Sequence, residues 1–474
     1  MSHKPSAQPF PSSQFTSEKT NRMNSFVLLI TCIAAISGIL FGFDTGVISG
    51  AILFIQKIYH LTPLMNGIVV GAVLLGALLG AAVSGRFADY FGRRLLLILT
   101  AMVFLLGTLG SSMADNIFFL VIYRFIVGFA IGISSFTTPL YISEIAPPKF
   151  RGALVSLNQL AITIGILCAY GIDTYFSKTG NWRMMFATGM IPAVILFFGM
   201  LFLPKSPRWI ILKGQLTLAR SILQKIRRST SVDIELKEIQ DSIEKKKSSR
   251  LLLQKWLLPA MVIGLGLGFF QQFTGINTMI YYAPTIFEMA GFHSASDAIS
   301  VTTIVGMVNV GFTLLALPLI DLWGRRPLLI LGLSGMALGL VVLSLAFHFG
   351  STYTMVKWIT MGSMLLYIAC FAMSLGPIMW LIIAEIFPLE VRGLGSSLAI
   401  SASWAFNALV ALTFLTLIQS LGKSATFLIY GALSVLGIVF IYLLVPETKG
   451  VSLEHIEANL RAGICSRNLG QRIK

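Results

Sequence analysis

Two charged residues stand alone in long apolar runs and are the first in this sequence placed to do chemistry. Asp44 lies in Leu40-Phe-Gly-Phe-Asp44-Thr-Gly, and Arg124 in Phe118-Phe-Leu-Val-Ile-Tyr-Arg124-Phe-Ile. Ionisable side chains are costly inside a bilayer, where they face one another or a polar cavity. An acid opposed by a base can work as a proton switch: protonation removes the attraction of the carboxylate for a guanidinium that stays charged in both states. A permanent structural ion pair is the other reading. The two runs travel in opposite directions. Counting 1.5 Å per residue back from Gln56 and Asn116 puts Asp44 ~18 Å and Arg124 ~12 Å below the same surface, equal within the error of the ends, so contact is possible. No other acid or base is expected well inside an apolar run.

The second set is neutral. A polyhydroxylated ring needs amides for paired hydrogen bonds and an aromatic platform for its C–H faces. Gln159, Gln271, Gln272, Asn277, Asn309 and Asn407 supply the amides, and Trp380 and Trp404 the platforms, mostly from the C-terminal half. The same amides would equally serve helix–helix hydrogen bonding, and the tryptophans an interfacial belt. Gly376-Pro377 beside Trp380 predicts a helix break, and a second is expected at Thr274–Asn277, ahead of Tyr281 and Tyr282. Those tyrosines are expected to form an outer gate.

The elements that must position these residues follow from composition. Of 474 residues, 56% are hydrophobic and 11% charged, against roughly 25% charged in soluble domains, which excludes a water-soluble protein. Apolar runs near 25–56, 64–84, 95–113, 116–143, 152–176, 184–203, 256–283, 297–320, 327–349, 356–384, 393–421 and 424–445 predict an all-α membrane protein with twelve transmembrane helices. Both termini then share one side. Lys57, Lys178, Arg183, Lys357 and Lys423 fall outside, Arg124 in a span, and the remaining 29 of the 35 Lys and Arg inside, so that side is expected to be cytoplasmic. The +16 charge is therefore a topology signal, and no nucleic-acid partner is expected.

The halves are duplicated. Asp89-Tyr-Phe-Gly92-Arg93-Arg94 recurs as Asp321-Leu-Trp-Gly324-Arg325-Arg326, 232 residues on, and Glu144-Ile-Ala-Pro147 with Arg151 as Glu385-Ile-Phe-Pro388 with Arg392, 241 residues on. This predicts a cytoplasmic tail at 1–24, a six-helix half at 25–204, a cytoplasmic loop at 205–255, a second half at 256–446 and a tail at 447–474. The loop should hold short amphipathic helices at 216–227 and 233–246. A ligand is expected between the halves near the midplane. The repeated acids and arginines, with Glu447, are expected to form ion-pair networks between helix ends that close the inner side.

Five motifs together resemble the sugar porter family of the major facilitator superfamily, over about Phe41 to Glu454. They are the two repeated loops, Gln271-Gln272-Phe-Thr-Gly-Ile-Asn277 with Tyr281-Tyr282, Gly376-Pro377-Ile-Met-Trp380, and Pro446-Glu447-Thr-Lys-Gly450. The resemblance implies the major facilitator fold, alternating access, no cofactor, and a monosaccharide as ligand. It assigns Gln159, Gln271, Gln272, Asn277, Asn309 and Trp380 to sugar contacts, with Trp404 and Asn407 matching the span-eleven lining. In carrying Asp44, span one looks like the bacterial and plant sugar–proton symporters, whereas animal facilitative glucose carriers usually have Asn there. A proton-coupled symporter in a bacterial inner membrane, working as a monomer, is the implied function. A facilitative uniporter and a sugar-sensing homologue are the alternatives. Lys205, in Pro204-Lys-Ser-Pro-Arg-Trp209, stands where the family usually has Glu.

An enzyme is not expected: His3, His60, His293, His348 and His455 lie in tails or outer segments, and neither a nucleophile–base pair nor metal-ligand spacing occurs in a span. Cys32, Cys168, Cys370 and Cys465 are expected to be small apolar filler with no disulfide framework.

Overall fold

A computed structural model describes residues 24–147, 150–228, 231–244, 254–292, 294–350, 354–388, 391–451 and 453–471. Nearly all of them are helical. The N-terminal half runs through α1 (Ser25–Tyr59), α2 (Pro63–Phe91), α3 (Arg93–Met113), α4 (Ile117–Ile145), α5 (Arg151–Ser177), α6 (Trp182–Ala187) and α7 (Met190–Phe202). Three short helices follow: α8 (Pro207–Leu212), α9 (Leu216–Arg227) and α10 (Asp233–Glu244). The second half holds α11 (Leu258–Phe273), α12 (Ile276–Tyr281), α13 (Ala283–Met289), α14 (Ala295–Trp323), α15 (Arg325–His348), α16 (Thr354–Met373), α17 (Leu375–Ile386), α18 (Arg392–Leu421) and α19 (Lys423–Leu444), and α20 (Leu453–Arg461) follows. Among the described residues twelve helical stretches are long and apolar enough to cross a membrane, with α6 and α7, α11 and α12, and α16 and α17 each counting as one. They match the twelve apolar runs. The tail at 1–24 lies outside the described residues except for Asn24, whose side chain accepts the Phe26 N–H and caps α1.

The duplicated loops have one physical job. Gly92, at φ +82°, is the single residue between α2 and α3, and Gly324, at φ +91°, the single residue between α14 and α15. Only glycine takes this backbone without strain, so the chain reverses in one step and the arginines that follow land at a helix start.

Backbone contact governs packing in the first half. Gly38, Gly42, Gly46 and Gly50 line one face of α1 at four-residue spacing, and a methyl group on Gly42 would sit 1.9 Å from the Ile162 carbonyl oxygen of α5. Between α2 and α4, a methyl on Gly128 would sit 1.9 Å from the Val73 carbonyl oxygen. Below, the basic side is the one carrying α8–α10, and the far side is opposite.

Candidate functional site

Asp44 and Arg124 meet. Arg124 Nη1 donates to Asp44 Oδ1 at 2.8 Å and Nη2 to Oδ2 at 3.4 Å, with the two residues only 2% and 5% exposed respectively. Gly42 and Gly46 hold α1 flush against α5 on either side of Asp44, which fixes where the carboxylate points. The Phe186 ring lies 5.4 Å from the Arg124 guanidinium carbon and closes off one flank. Asp44 lies between two small cavities. One is walled by first-half residues such as Phe104, Thr108 and Phe186, while the other reaches across to Tyr281 and Trp404 of the second half.

The amides gather at a broken helix. Between α11 and α12 the chain turns through Thr274 and Gly275 at φ +89°, at the expected break. Asn277 Nδ2 donates to Gln272 Oε1 at 2.6 Å, and Gln272 Nε2 donates to Gln271 Oε1 at 3.1 Å and to Ser403 Oγ at 3.0 Å. Gln271 Nε2 donates in turn to the Leu375 carbonyl at 3.1 Å. In this conformation the amides therefore tie α11, α17 and α18 together, the helix–helix use expected as the alternative. Asn407 Nδ2 donates to the Tyr281 hydroxyl at 3.3 Å, and the Trp404 ring packs 5.2 Å from that of Phe41. Gln159 on α5, Asn309 on α14 and Trp380 on α17 make no hydrogen bond to this amide chain; Asn309 is buried, and Gln159 and Trp380 are half-buried.

The second break falls at Ser374 (φ −125°, ψ −96°), not at Gly376-Pro377, which occupies the first turn of α17. A proline ring clashes with the carbonyl four residues earlier, here Met373, so α16 must end before the proline does. The carbonyl of Leu375, the first residue of α17, is the one Gln271 binds.

The halves hold one another on the far side. Tyr170 Oη donates to the Ile280 carbonyl at 3.0 Å, Thr174 and Thr303 share a hydrogen bond at 3.0 Å, Ser177 and Ser296 one at 2.9 Å, and Lys57 and Glu288 lie 3.9 Å apart. Tyr281 and Tyr282 are buried behind this seam, with Tyr282 Oη donating to the Ala411 carbonyl at 3.2 Å.

On the basic side the expected ion pairs form inside each half. Arg93 pairs with Asp89 at 3.3 Å and Glu144 at 2.9 Å, while Arg325 pairs with Asp321 at 3.3 Å and Glu385 at 3.1 Å. Arg94 and Arg326, read as partners for acids, instead donate to backbone carbonyls, those of Met200 and Leu201 and that of Tyr442. Each sits two positions past the glycine of the turn, where its side chain reaches the end of the neighbouring helix. Arg392 Nε donates to the Phe387 carbonyl at 3.2 Å, Arg151 is exposed, and Glu447 accepts the backbone N–H groups of Arg325 and Arg326, each at 3.0 Å.

Two expectations need correction. Asp44 and Arg124 are not the only buried charged types in the spans: Asp173, near the end of α5, is 0% exposed. Its place four residues before the end of α5 makes it look interfacial in the sequence. The cysteines are not uniformly filler either, since Cys370 is buried but Cys32 and Cys168 are exposed on the outer surface of α1 and α5. All four are free thiols. The Phe41–Trp404 contact was also missed, because nothing in the spacing pairs span one with span eleven.

Two six-helix bundles related by duplication, sealed at one side over a buried acid and a set of amides, define a membrane carrier. The family model for "Sugar (and other) transporter" matches residues 30–460, and the chain belongs to that family. It is 42% identical over 457 residues to a galactose-proton symporter of Escherichia coli (strain K12), covering 96% of this chain and 98% of that one. It is 40% identical to an arabinose-proton symporter of the same strain, covering 95% and 96%. The partially occluded inward-open structure of the xylose transporter XylE from E. coli matches with TM-score 0.80 and 34% identity, over 90% of this chain and 100% of that one.

Proposed function

We infer that this protein is a proton-coupled monosaccharide symporter working by alternating access in a bacterial inner membrane, with its basic side and both termini in the cytoplasm. One observation carries the reading: the buried Asp44–Arg124 pair opens, through one cavity, onto Tyr281 and Trp404, the latter on the helix that meets the amide cluster. Protonation of Asp44 would release Arg124, and that release would bias the packing of α1 against the second half. Gln271, Gln272 and Asn277 would exchange their mutual hydrogen bonds for sugar hydroxyls, with Gln159, Asn309, Asn407, Trp380 and Trp404 completing the site. Tyr281 and Tyr282 would cover it from outside, and the arginine–acid networks of the basic side would serve the inner gate. Entry of one positive charge down a membrane potential supplies about 2.3 kcal/mol per 100 mV, roughly 50-fold accumulation. The galactose, arabinose and xylose carriers among its relatives support a hexose or pentose as cargo.

Counterflow of labelled sugars into proteoliposomes identifies the cargo, and an imposed pH gradient tests the coupling. In Asp44→Asn, pH-driven accumulation should vanish while sugar exchange persists. Accumulation with wild-type proton uptake in that variant would overturn the coupling role, and wild-type uptake that only equilibrates the sugar, with or without the pH gradient, would favour a uniporter.

A further inference from the structure

Asp173 is the buried carboxyl that the coupling chemistry above leaves unused. Its side chain points at α1, where Oδ2 accepts the Gly50 N–H at 3.1 Å, and Oδ1 has no hydrogen-bond partner among the described residues. The fit is specific: a methyl on Gly50 would lie 2.5 Å from Oδ2. The bond also perturbs α1, because the Gly46 carbonyl, the ordinary helical acceptor of the Gly50 N–H, takes the Ser49 hydroxyl at 2.7 Å as well.

Among the described residues no cation is available to it. On the elements packed against α5, Lys57 of α1 is turned to Glu288, Arg124 of α4 to Asp44, and Arg183 of α6 to Asp115. The other titratable groups are Cys32, Asp44 and Tyr59 of α1, Tyr123, Tyr141 and Glu144 of α4, Asp297 and Asp321 of α14, Glu385 of α17, and Arg151, Cys168, Tyr170 and Tyr175 of α5 itself. None makes an ion pair or hydrogen bond with Asp173. A charged carboxylate sealed in this way has one backbone donor to offset the loss of water, which is far too little.

Position ties the group to the gate. Tyr170, Thr174 and Ser177, which bond the second half across the far-side seam, lie within about one turn of Asp173 on α5. Parting the seam brings water to that rim, and closing it removes the water.

We propose that Asp173 is a second proton-exchanging carboxyl of the transport cycle, a positioning residue that couples closure of the outer seam to uptake of one proton from the outer side. On closure a proton leaves outer water and forms the Oδ1–H bond, so that the acid stays neutral while its other oxygen holds Gly50. On reopening that bond breaks and the proton returns to the same side. The Asp173 proton therefore adds nothing to the transported charge, but acid outside favours the closed seam. The idea rests on the symport reading above, in which the seam opens and closes each cycle.

The test uses the full-length protein in lipid, with spin labels at Asp115 and Phe349 in a cysteine-free background and the outer pH varied. In Asp44→Asn the ratio of closed to open seam should still rise as outer pH falls, by up to tenfold per pH unit, and adding Asp173→Asn should reduce that slope to the shallow remainder set by Glu288 in the same seam. A ratio independent of pH in Asp44→Asn, or an unchanged slope in the double variant, overturns the proposal. Should the double variant fail to fold, infrared spectra of Asp44→Asn read the same proton: a carboxylic-acid band must appear with the midpoint of the distance change, and its absence overturns the proposal. Loss of accumulation in Asp44→Asn is scored separately, so a failure here leaves the symport reading standing, and a failure there is recognised as such.

Discussion

The two halves descend from one repeat, yet they are held together differently. In the first, α1 meets α5 and α2 meets α4 backbone to backbone through glycines, and the first five spans are unbroken. In the second, spans seven and ten are interrupted, and the tightest glycine contacts fall on side chains: Gly332 on Ser374, Gly335 on Cys370, Gly266 on Phe440. Side chains can turn aside and carbonyls in a helix cannot. The rigid half carries the acid–base pair, whose function needs fixed distances, and the adaptable half carries most of the amides, whose function needs exchange of partners.

The basic side repeats the contrast in electrostatics. Thr448 donates to Glu385 and Ser206 to Glu144, so Glu447 and Lys205 occupy equivalent places. Glu447 caps the first amides of α15, whereas no described side chain accepts from those of α3. The Trp209 ring fills the space beside Gly92 instead, its Nε1 donating to the Asp89 carbonyl at 3.1 Å, with Lys205 Nζ 5.5 Å from its ring. The departure at Lys205 thus exchanges a charged helix cap for an aromatic plug.

Overpacking a backbone contact should do most damage. Gly128→Ala must separate α2 from α4 and is expected to cost about 3 kcal/mol or more. Gly264→Ala meets the Phe387 ring at 3.2 Å and the Ala399 methyl at 3.5 Å, and should be mild. Equal losses in thermal denaturation in micelles would break the comparison. Next come the arginines. Arg93→Ala strands Glu144, whose side chain is 4% exposed, and should cost roughly 3–5 kcal/mol. Arg325→Ala leaves Glu385 at 21% exposure and should cost less; the same melts decide the order. Removing the cap with Glu447→Ala should lose about 1–3 kcal/mol, while Lys205→Glu should gain at most about 1 kcal/mol by restoring a carboxylate at the α3 start. An unchanged Lys205→Glu protein would mean that the tryptophan plug has made the acid redundant.

The smallest effect lies where the halves meet on the far side. Burial pushes the Glu288 carboxyl above its usual range, only partly offset by Lys57. The sealed form therefore binds the proton more tightly than open or unfolded forms, and its advantage is lost as pH rises through that raised value. Glu288→Gln should remove this pH dependence and change stability by less than about 1 kcal/mol, the scale of a part-exposed pair. A steeper pH slope in the variant would refute the assignment.

Much of this was legible in the residues. Runs of apolar sequence gave the twelve spans, and the shared motifs the duplication, because span length and one-residue glycine turns are local properties. The Asp44–Arg124 contact followed from counting rise along two helices. Asp173 did not, since its burial depends on Gly50, far away in the chain. The break at Ser374 was displaced by the reach of the Pro377 ring, and the use of Arg94 and Arg326 on carbonyls depends on where α7 and α19 end. Which amides bond one another depends on the conformation adopted, and a pattern of residue types does not encode that.

The segment after α19 is fastened to the second half. Arg461 lies 4.2 Å from the Trp256 ring at the entrance to α11, Arg467 4.7 Å from that of Tyr442 at the end of α19, and Asn459 holds the carbonyls of Leu469 and Gln471 at 2.7 and 3.0 Å. During synthesis the first half is complete once residue 204 has emerged, while the second waits for this clasp. At about 5–20 residues per second that interval is roughly 15–50 s, so the rigid half is available as a finished template in the membrane before the adaptable half can lock its basic-side end.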